Sequence, residues 1–161
     1  MVPEKNMFGG PEEGLSEPTK SLQEALKGTT WQVEGGRFAL VGFPQGPRVE
    51  DLALLGRAPA QIIREEEGTT LLIAADALEG VLERHPEARV ERDLAWVRFS
   101  MAMDWELVGF LAHVTGALAA AGVPLGCVCS FDRDHLFIAE SHLEVATRVL
   151  DGLFPASAGR R

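Results

Sequence analysis

The chain has 161 residues, of which 46% are hydrophobic, and its formal net charge is −9 at pH 7. A chain of this length and composition can bury a core of its own. Its acidity argues against nucleic-acid and anionic membrane partners, which are bound through Lys and Arg. No apolar run approaches the roughly 18–20 residues of a membrane span, and no signal peptide is recognisable, so we expect a cytoplasmic protein.

The first part of the chain predicts short helices and strands. Residues 1–20 are rich in Gly, Pro and Glu, which predicts a flexible N-terminal tail. Ser21 and Glu24 have the spacing of a capping box, and Gly28 ends that helix. The expected elements after the tail are a helix at 21–27, a strand at 36–43, a helical turn at 49–55, strands at 60–67 and 69–75 joined at Gly68, and a helix at 77–84 capped by Asp76.

The second part predicts strand, helix, strand, strand and helix. Residues 88–102 have the pattern of a short strand, a turn at Arg92 and Asp93, and a longer strand. An apolar stripe with helical spacing follows Gly109. Strands at 124–131 and 135–140 come next, and Ser141 opens a last helix through a second capping box.

This order of elements predicts an α+β fold of two ferredoxin-like halves packed together, with antiparallel sheets and helices on one face. The first half is expected at 21–92, the second at 93–154, and a C-terminal tail at 155–161. The second half lacks a final strand. Its sheet edge must therefore be completed by the first half or by a second copy of the chain, because open edges invite pairing.

Several segments resemble the ACT-domain superfamily, in particular a family of small stand-alone bacterial proteins with two ACT-like halves and no known function. Residues 36–40 and 66–71 resemble a strand and a hairpin of that family. Leu107-Val108-Gly109-Phe110 resembles its helix start, and Asp134-His135-Leu136-Phe137-Ile138 resembles one of its strands. The segment 129–135 is distantly similar to the arginine-sensing CASTOR proteins. The resemblance implies two ACT-type βαββαβ halves.

The resemblance also implies a site for a small ligand, with an amino acid expected, near the helix start of the second half and at an interface between units. A ligand carboxylate needs backbone N–H groups, which a helix N-terminus offers, and a glycine there lets the ligand approach closely. Carboxylates at the neighbouring strand tip suit an ammonium group. The expected ligand-binding residues are Glu106, Val108, Gly109, Phe110, Ser130, Asp132 and Asp134. A purely structural explanation accounts for the same residues: Gly109 permits tight helix packing, and Asp132 and Asp134 are common turn residues.

Two other groups contain residue types that can bind a metal ion. Cys127 and Cys129, the only cysteines, lie two apart on a predicted strand and cannot easily bridge, which fits a reducing compartment. No further cysteine completes a zinc site, so they are expected to be core or half-buried strand residues. Asp132, Asp134 and His135 have suitable ligand types, but a turn beside a histidine explains them as well. No metal is therefore expected.

The expected function is a non-catalytic regulatory or sensing protein that binds a small ligand and forms a homodimer. The alternative is a ligand-free protein–protein interaction module. No Ser, Cys or Lys has a recognisable nucleophile context, so neither catalytic residues nor cofactors are expected. An enzyme on a ferredoxin-like scaffold is the least favoured class, because no acid–base pair stands out with a positioned nucleophile. Fold-level analogy alone does not decide between these classes.

Overall fold

The computed structural model of the protein describes residues 20–157. The predicted N-terminal tail, apart from its last residue, and the end of the predicted C-terminal tail lie outside the described residues. Pro155–Ser157, which the predicted boundary assigns to the C-terminal tail, form a 3-10 turn, and Ser157 is buried. The described fold therefore extends past the predicted end of the second half.

Along the described residues, helices and strands follow one another in nearly the predicted order. The helices are α1 (Lys20–Gly28), α2 (Val49–Ala53), α3 (Leu78–Arg84), α4 (Phe110–Ala120) and α5 (Leu143–Leu153). The strands are β1 (Trp31–Val33), β2 (Phe38–Phe43), β3 (Gln61–Arg64), β4 (Thr69–Ala74), β5 (Arg89–Phe99), β6 (Leu125–Cys129) and β7 (Asp134–Ala139). The sequence did not predict β1.

The helices pack on one face of the sheet. α4 turns Phe110, Val114 and Leu118 inward at helical spacing, and all three are buried. They share an apolar core with α1, α5 and strand residues such as Val97 and Leu136. α3 covers a second core beside β2 and β4 on the same face. Helices on one face of an antiparallel sheet confirm the predicted fold class.

The central strand β5 runs across the predicted boundary between the two halves. Its residues up to Leu94 pair with β2, and its residues from Leu94 to Arg98 pair on the other side with β7. All pairings are antiparallel, and the resulting sheet has the order β3-β4-β2-β5-β7-β6, with β1 also on β5. The predicted boundary between residues 92 and 93 falls inside this strand. The division into two separate halves stays a prediction.

The turn predicted at Arg92 and Asp93 is wrong, because β5 continues through these residues. The backbone is nevertheless irregular where the turn was predicted, because Asp93 has a positive φ of 55°. Opposite it, the register of β2 shifts between Phe38 and Leu40. An irregularity of this kind bends and twists a strand without ending it.

Strand β1 supplies the strand that the second half lacks. It pairs antiparallel with the end of β5, and Trp31 lies opposite Phe99. In a βαββαβ unit the last strand lies beside the first, and β1 takes that place from the N-terminal side of the chain. The backbone N–H of Trp31 donates a hydrogen bond of 2.9 Å to the hydroxyl of Ser157. The first and last parts of the described chain therefore meet at this edge.

The face opposite the helices carries an aromatic cluster. Trp96 and Phe137 stack with ring centroids 6.5 Å apart, and Phe38 meets both rings edge-on. A cavity of about 440 Å³ is lined by Ile63 of β3 and by Gly126 of β6. These strands are the two ends of the sheet, so the sheet curls around this face. Curling leaves Phe38 and Phe137 buried.

Two helix starts differ from the prediction. A 3-10 turn, Glu140–His142, precedes α5, and the Ser141 hydroxyl hydrogen-bonds with Nδ1 of the His142 ring rather than capping the helix. Asp76 does not cap α3, because its carboxylate pairs with Arg57 at 2.8 Å. In both places another polar partner competes with the capping geometry.

Candidate functional site

A groove of about 300 Å³ lies between the start of α4 and the turn that joins β6 to β7. Four of the predicted ligand-binding residues line it, namely Gly109, Phe110, Ser130 and Asp134. The other three do not line it: Glu106, Val108 and Asp132 are exposed residues beside it. The topology thus brings the predicted helix start and strand tip to one place.

Backbone hydrogen bonds join the two walls of this groove. The Met103 N–H donates to the Asp132 carbonyl at 2.6 Å, which links the loop before α4 to the β6–β7 turn. Within that turn, the N–H and the hydroxyl of Ser130 both donate to the Arg133 carbonyl, at 3.0 and 2.8 Å. The hydroxyl proton of Ser130 is therefore already in use, which leaves its oxygen as an acceptor.

The start of α4 has no side-chain cap. Its N-cap residue is Gly109, and its first turn contains no acidic residue. The first N–H groups of an α-helix have no partner within the helix and carry a partial positive charge, so this end suits an anionic group. Gly109 also has a structural role, because its φ is 92° and an added Cβ would lie 3.4 Å from Leu22 Cδ2.

The groove also contains residues that the sequence analysis did not select. Asp104, Trp105, Cys129 and Arg133 all line it. The Nε atom of Arg133 is buried and has no hydrogen-bond partner among residues 20–157. A buried guanidinium N–H without a partner is costly, and a carboxylate is the group that satisfies it best. From the sequence alone, Arg133 is included only within the segment 129–135 and has no predicted role.

The two cysteines are exposed rather than packed in the core. They lie on a strand as predicted, but the expectation that they belong to the core is wrong. The reason is that β6 ends the sheet in the described part of the chain, so its side chains have a neighbouring strand on one side only. Both cysteines are free thiols.

His135 lies beside the groove on β7 and faces the aromatic cluster. Nε1 of Trp96 donates to Nδ1 of His135 at 3.2 Å, so the neutral ring carries its proton on Nε2. Burial lowers the pKa of His135 below its ordinary value of 6.5, and the neighbouring charges of Arg133 and Arg98 lower it further. The adjacent carboxylate of Asp134 partly opposes this shift of the pKa.

We expect the lowered pKa of His135 to make the fold less stable in mild acid. The folded chain takes up a proton at His135 less readily than the unfolded chain. The stabilisation of the fold that depends on a neutral His135 is therefore complete above pH 6.5, and it is lost as the pH falls through the folded pKa. Urea unfolding at neutral pH and at about pH 5 measures the loss. His135→Gln should flatten this pH dependence, and an identical dependence in both proteins contradicts the assignment.

The site thus consists of a groove at a helix start beside a strand tip, on a curled antiparallel sheet with helices on one face. Residues 89–151 match the family model described as ACT domain. This match agrees with the resemblance that the sequence motifs predicted. The matched residues run from the start of β5 into α5 and contain the groove. No curated protein matches this chain.

Solved structures with the same fold come from several bacteria. A protein from Agrobacterium tumefaciens is 17% identical and has a TM-score of 0.64, over 76% of this chain and 87% of that one. A Vibrio cholerae protein of unknown function, described as a possible transport protein, is 20% identical with a TM-score of 0.63, over 83% and 96%. The ligand-free regulatory subunit of aspartate kinase from Thermus thermophilus is 18% identical with a TM-score of 0.53, over 80% and 97%. At these identities the likeness shows the fold.

Across residues 20–157, no helix combines the length and the apolar character that a membrane crossing requires.

Proposed function

We propose that this protein is a non-catalytic regulatory protein that binds an amino acid in the groove at the start of α4. The observation that carries the proposal is the set of groups lining that one groove: an uncapped helix N-terminus, the Arg133 guanidinium with its buried Nε, and the Asp134 carboxylate. An amino acid has both charges that this set requires. Its carboxylate suits the helix end and Arg133, and its ammonium group suits Asp134.

The fold, and the burial of the carboxylate–imidazole pair found in the described part of the chain, support a regulatory rather than a catalytic role. The regulatory subunit of aspartate kinase, a protein named for regulation, shares this fold. Asp51 and His85 form a carboxylate–imidazole pair with atoms 2.8 Å apart, but both residues are almost fully buried. A substrate has no access to a pair in that position, whereas ligand binding to the groove requires no chemistry.

Exposed apolar side chains around the groove support a homodimer. Trp105 and Phe131 line the groove and are 91% and 90% exposed, and Val108 beside it is 77% exposed. Large exposed apolar groups in one place mark interaction surfaces. A second copy that covers this patch would close the groove over its ligand. The same patch favours the alternative function, a ligand-free module that binds another protein.

A thermal-shift screen of the proteinogenic amino acids at millimolar concentration tests the proposal. A ligand that binds only the folded chain stabilises it by about 2.7 kcal/mol at a hundredfold excess over Kd. We expect one amino acid, or a chemically similar group of them, to raise the melting temperature. Arg133→Gln should weaken that binding at least about tenfold, which corresponds to about 1.4 kcal/mol.

The matched control is Arg92→Gln, which removes an arginine on β5 that pairs with Glu79 and does not line the groove. This variant should bind the same amino acid as tightly as the unmodified chain does. The proposal fails if no amino acid changes the melting temperature, or if Arg133→Gln leaves the affinity unchanged. A blank screen combined with a stoichiometric protein partner would instead support the ligand-free module.

A further inference from the structure

The sheet edge beside the groove brings three metal-ligand side chains together. Three ligand atoms all lie within 4.8 Å of one another: the Sγ atoms of Cys127 and Cys129 and one carboxylate oxygen of Asp134. We propose that these three residues form a binding site for a thiophilic divalent metal ion, Zn²⁺ or its spectroscopic substitute Co²⁺. The inference goes beyond the proposed function and does not depend on it. Both use the Asp134 carboxylate, so the ion and the ammonium group of an amino acid would compete for it.

The topology builds this cluster from two neighbouring strands. Cys127 and Cys129 are two residues apart on β6, so their side chains point to the same face of the sheet. Cys129 lies directly opposite Asp134 of β7 in the antiparallel register. A cross-strand pair shares a face, which brings the carboxylate to the two thiols. The sequence alone places the cysteines and Asp134 in separate motifs and does not reveal this contact.

The distances are close to those that a metal requires. Zn²⁺ binds thiolate sulfur at about 2.3 Å in a tetrahedral arrangement, which separates two such sulfurs by roughly 3.8 Å. Contraction of the cluster by about 1 Å or less, through side-chain rotation, reaches that spacing. Both cysteines are exposed and unbridged, so an ion reaches them from solvent and no disulfide has to be broken.

The donor set favours a thiophilic ion over magnesium or calcium. Two thiolates and one carboxylate are the ligand types of zinc sites, whereas hard ions prefer oxygen alone. Three protein ligands leave a fourth tetrahedral position open. Cys129 and Asp134 both line the groove, so this open position lies at the groove wall, where water or a bound molecule can occupy it.

The thiols of the metal-free protein hold their protons firmly. Partial desolvation of its sulfur, together with the nearby Cys129 and Asp134, raises the pKa of Cys127 to about 12. The hydrogen bond with Asp134 raises the pKa of Cys129, and partial desolvation adds to this. On metal binding each thiol releases its proton to solvent, and the ion gains two sulfur ligands and one oxygen ligand. No oxidation or reduction takes part in this exchange.

Titration of the reduced full-length protein with Co²⁺, without any amino acid, tests the site. Thiolate coordination to Co²⁺ produces a charge-transfer band in the near ultraviolet. We expect this band to saturate at one ion per chain and to be bleached by Zn²⁺. Cys127→Ser and Cys129→Ser should each weaken the affinity for Co²⁺ at least about tenfold and reduce the band. Circular dichroism checks that these exposed substitutions leave the fold intact.

Asp134→Asn and Asp132→Asn form the matched pair that tests the third ligand. Asp132 is an exposed carboxylate two residues away and is not part of the cluster. Asp134→Asn should weaken Co²⁺ binding at least about tenfold, while Asp132→Asn should leave it unchanged. The proposal is overturned if the unmodified protein shows no band, if Asp134→Asn binds Co²⁺ normally, or if the band forms only when ions bridge two chains.

Discussion

Replacing Asp51 with alanine is expected to lower the free energy of unfolding by about 3–5 kcal/mol, because it removes one partner of a buried ionic network. Asp51 is fully buried in α2. Its carboxylate accepts hydrogen bonds from Arg84 at 2.9 and 2.6 Å and from the Arg48 N–H at 2.8 Å, and it contacts His85 Nε2 at 2.8 Å. These contacts join the start of α2 to the end of α3, and Phe43 stacks on the His85 ring.

Asp76→Ala is the control for this prediction. It also removes an aspartate that pairs with an arginine, but Asp76 and Arg57 are both well exposed. Exposed ion pairs contribute little because water and salt screen them, so the control should unfold almost like the unmodified chain. Urea unfolding at neutral pH measures both variants. Equal stability of Asp51→Ala and Asp76→Ala contradicts the role given to the buried network.

The same network predicts part of the acid sensitivity of the fold. Burial alone would raise the pKa of Asp51, but hydrogen bonds with His85, with the Arg48 N–H and with Arg84 outweigh it and lower the pKa below its ordinary value of 3.8. A lowered folded pKa gives a stabilisation that is present above pH 3.8 and is lost as the pH falls through the folded pKa. Asp51→Ala should remove this part of the acid transition.

Replacing Phe154 with alanine is expected to cost about 3–5 kcal/mol, as large-to-small changes of buried aromatic residues do. Phe154 follows α5 and is fully buried. Its ring centroid lies 5.3 Å from that of Phe99 on β5 and 5.9 Å from that of Phe110 at the start of α4. The residue lies beyond the segment that matches the ACT domain, yet it completes the core under the groove.

Phe154→Leu provides the comparison, because it keeps most of the buried volume. It should cost less than about 1.5 kcal/mol if the rings mainly fill space. Thermal and urea unfolding of both variants measure the difference. A loss below about 1 kcal/mol in Phe154→Ala would show that this segment is not part of the core.

The sequence predicted the elements whose signals are local. Helix α4 carries an apolar stripe over three turns and begins at a glycine, so its position followed from periodicity alone. The hairpin of β3 and β4 followed from two β-rich runs around Gly68. The resemblance to ACT domains predicted the fold and the place of the groove, because Gly109 and Asp134 lie in the two segments, 107–110 and 134–138, that resemble that family most specifically.

The sequence did not predict features that depend on distant partners. Strand β1 has three residues, too few for an alternation pattern, and only its pairing with β5 defines it. The central place of β5 in the sheet likewise follows from neighbouring strands on both of its edges. Arg133 and the contact of Cys129 with Asp134 became visible only when the register of β6 and β7 was known. Each of these depends on pairing between strands, which local sequence does not encode.

Amide chemical shifts of the isotope-labelled full chain test the central proposal, an amino-acid site at the start of α4, most directly. Spectra are recorded with and without a mixture of the proteinogenic amino acids at millimolar concentration. We predict shift changes concentrated at residues 103–112 and 129–134, the two walls of the groove, and their loss in Arg133→Gln. Unchanged spectra, or changes centred on the aromatic cluster of Trp96 and Phe137 on the opposite face, would contradict the proposal.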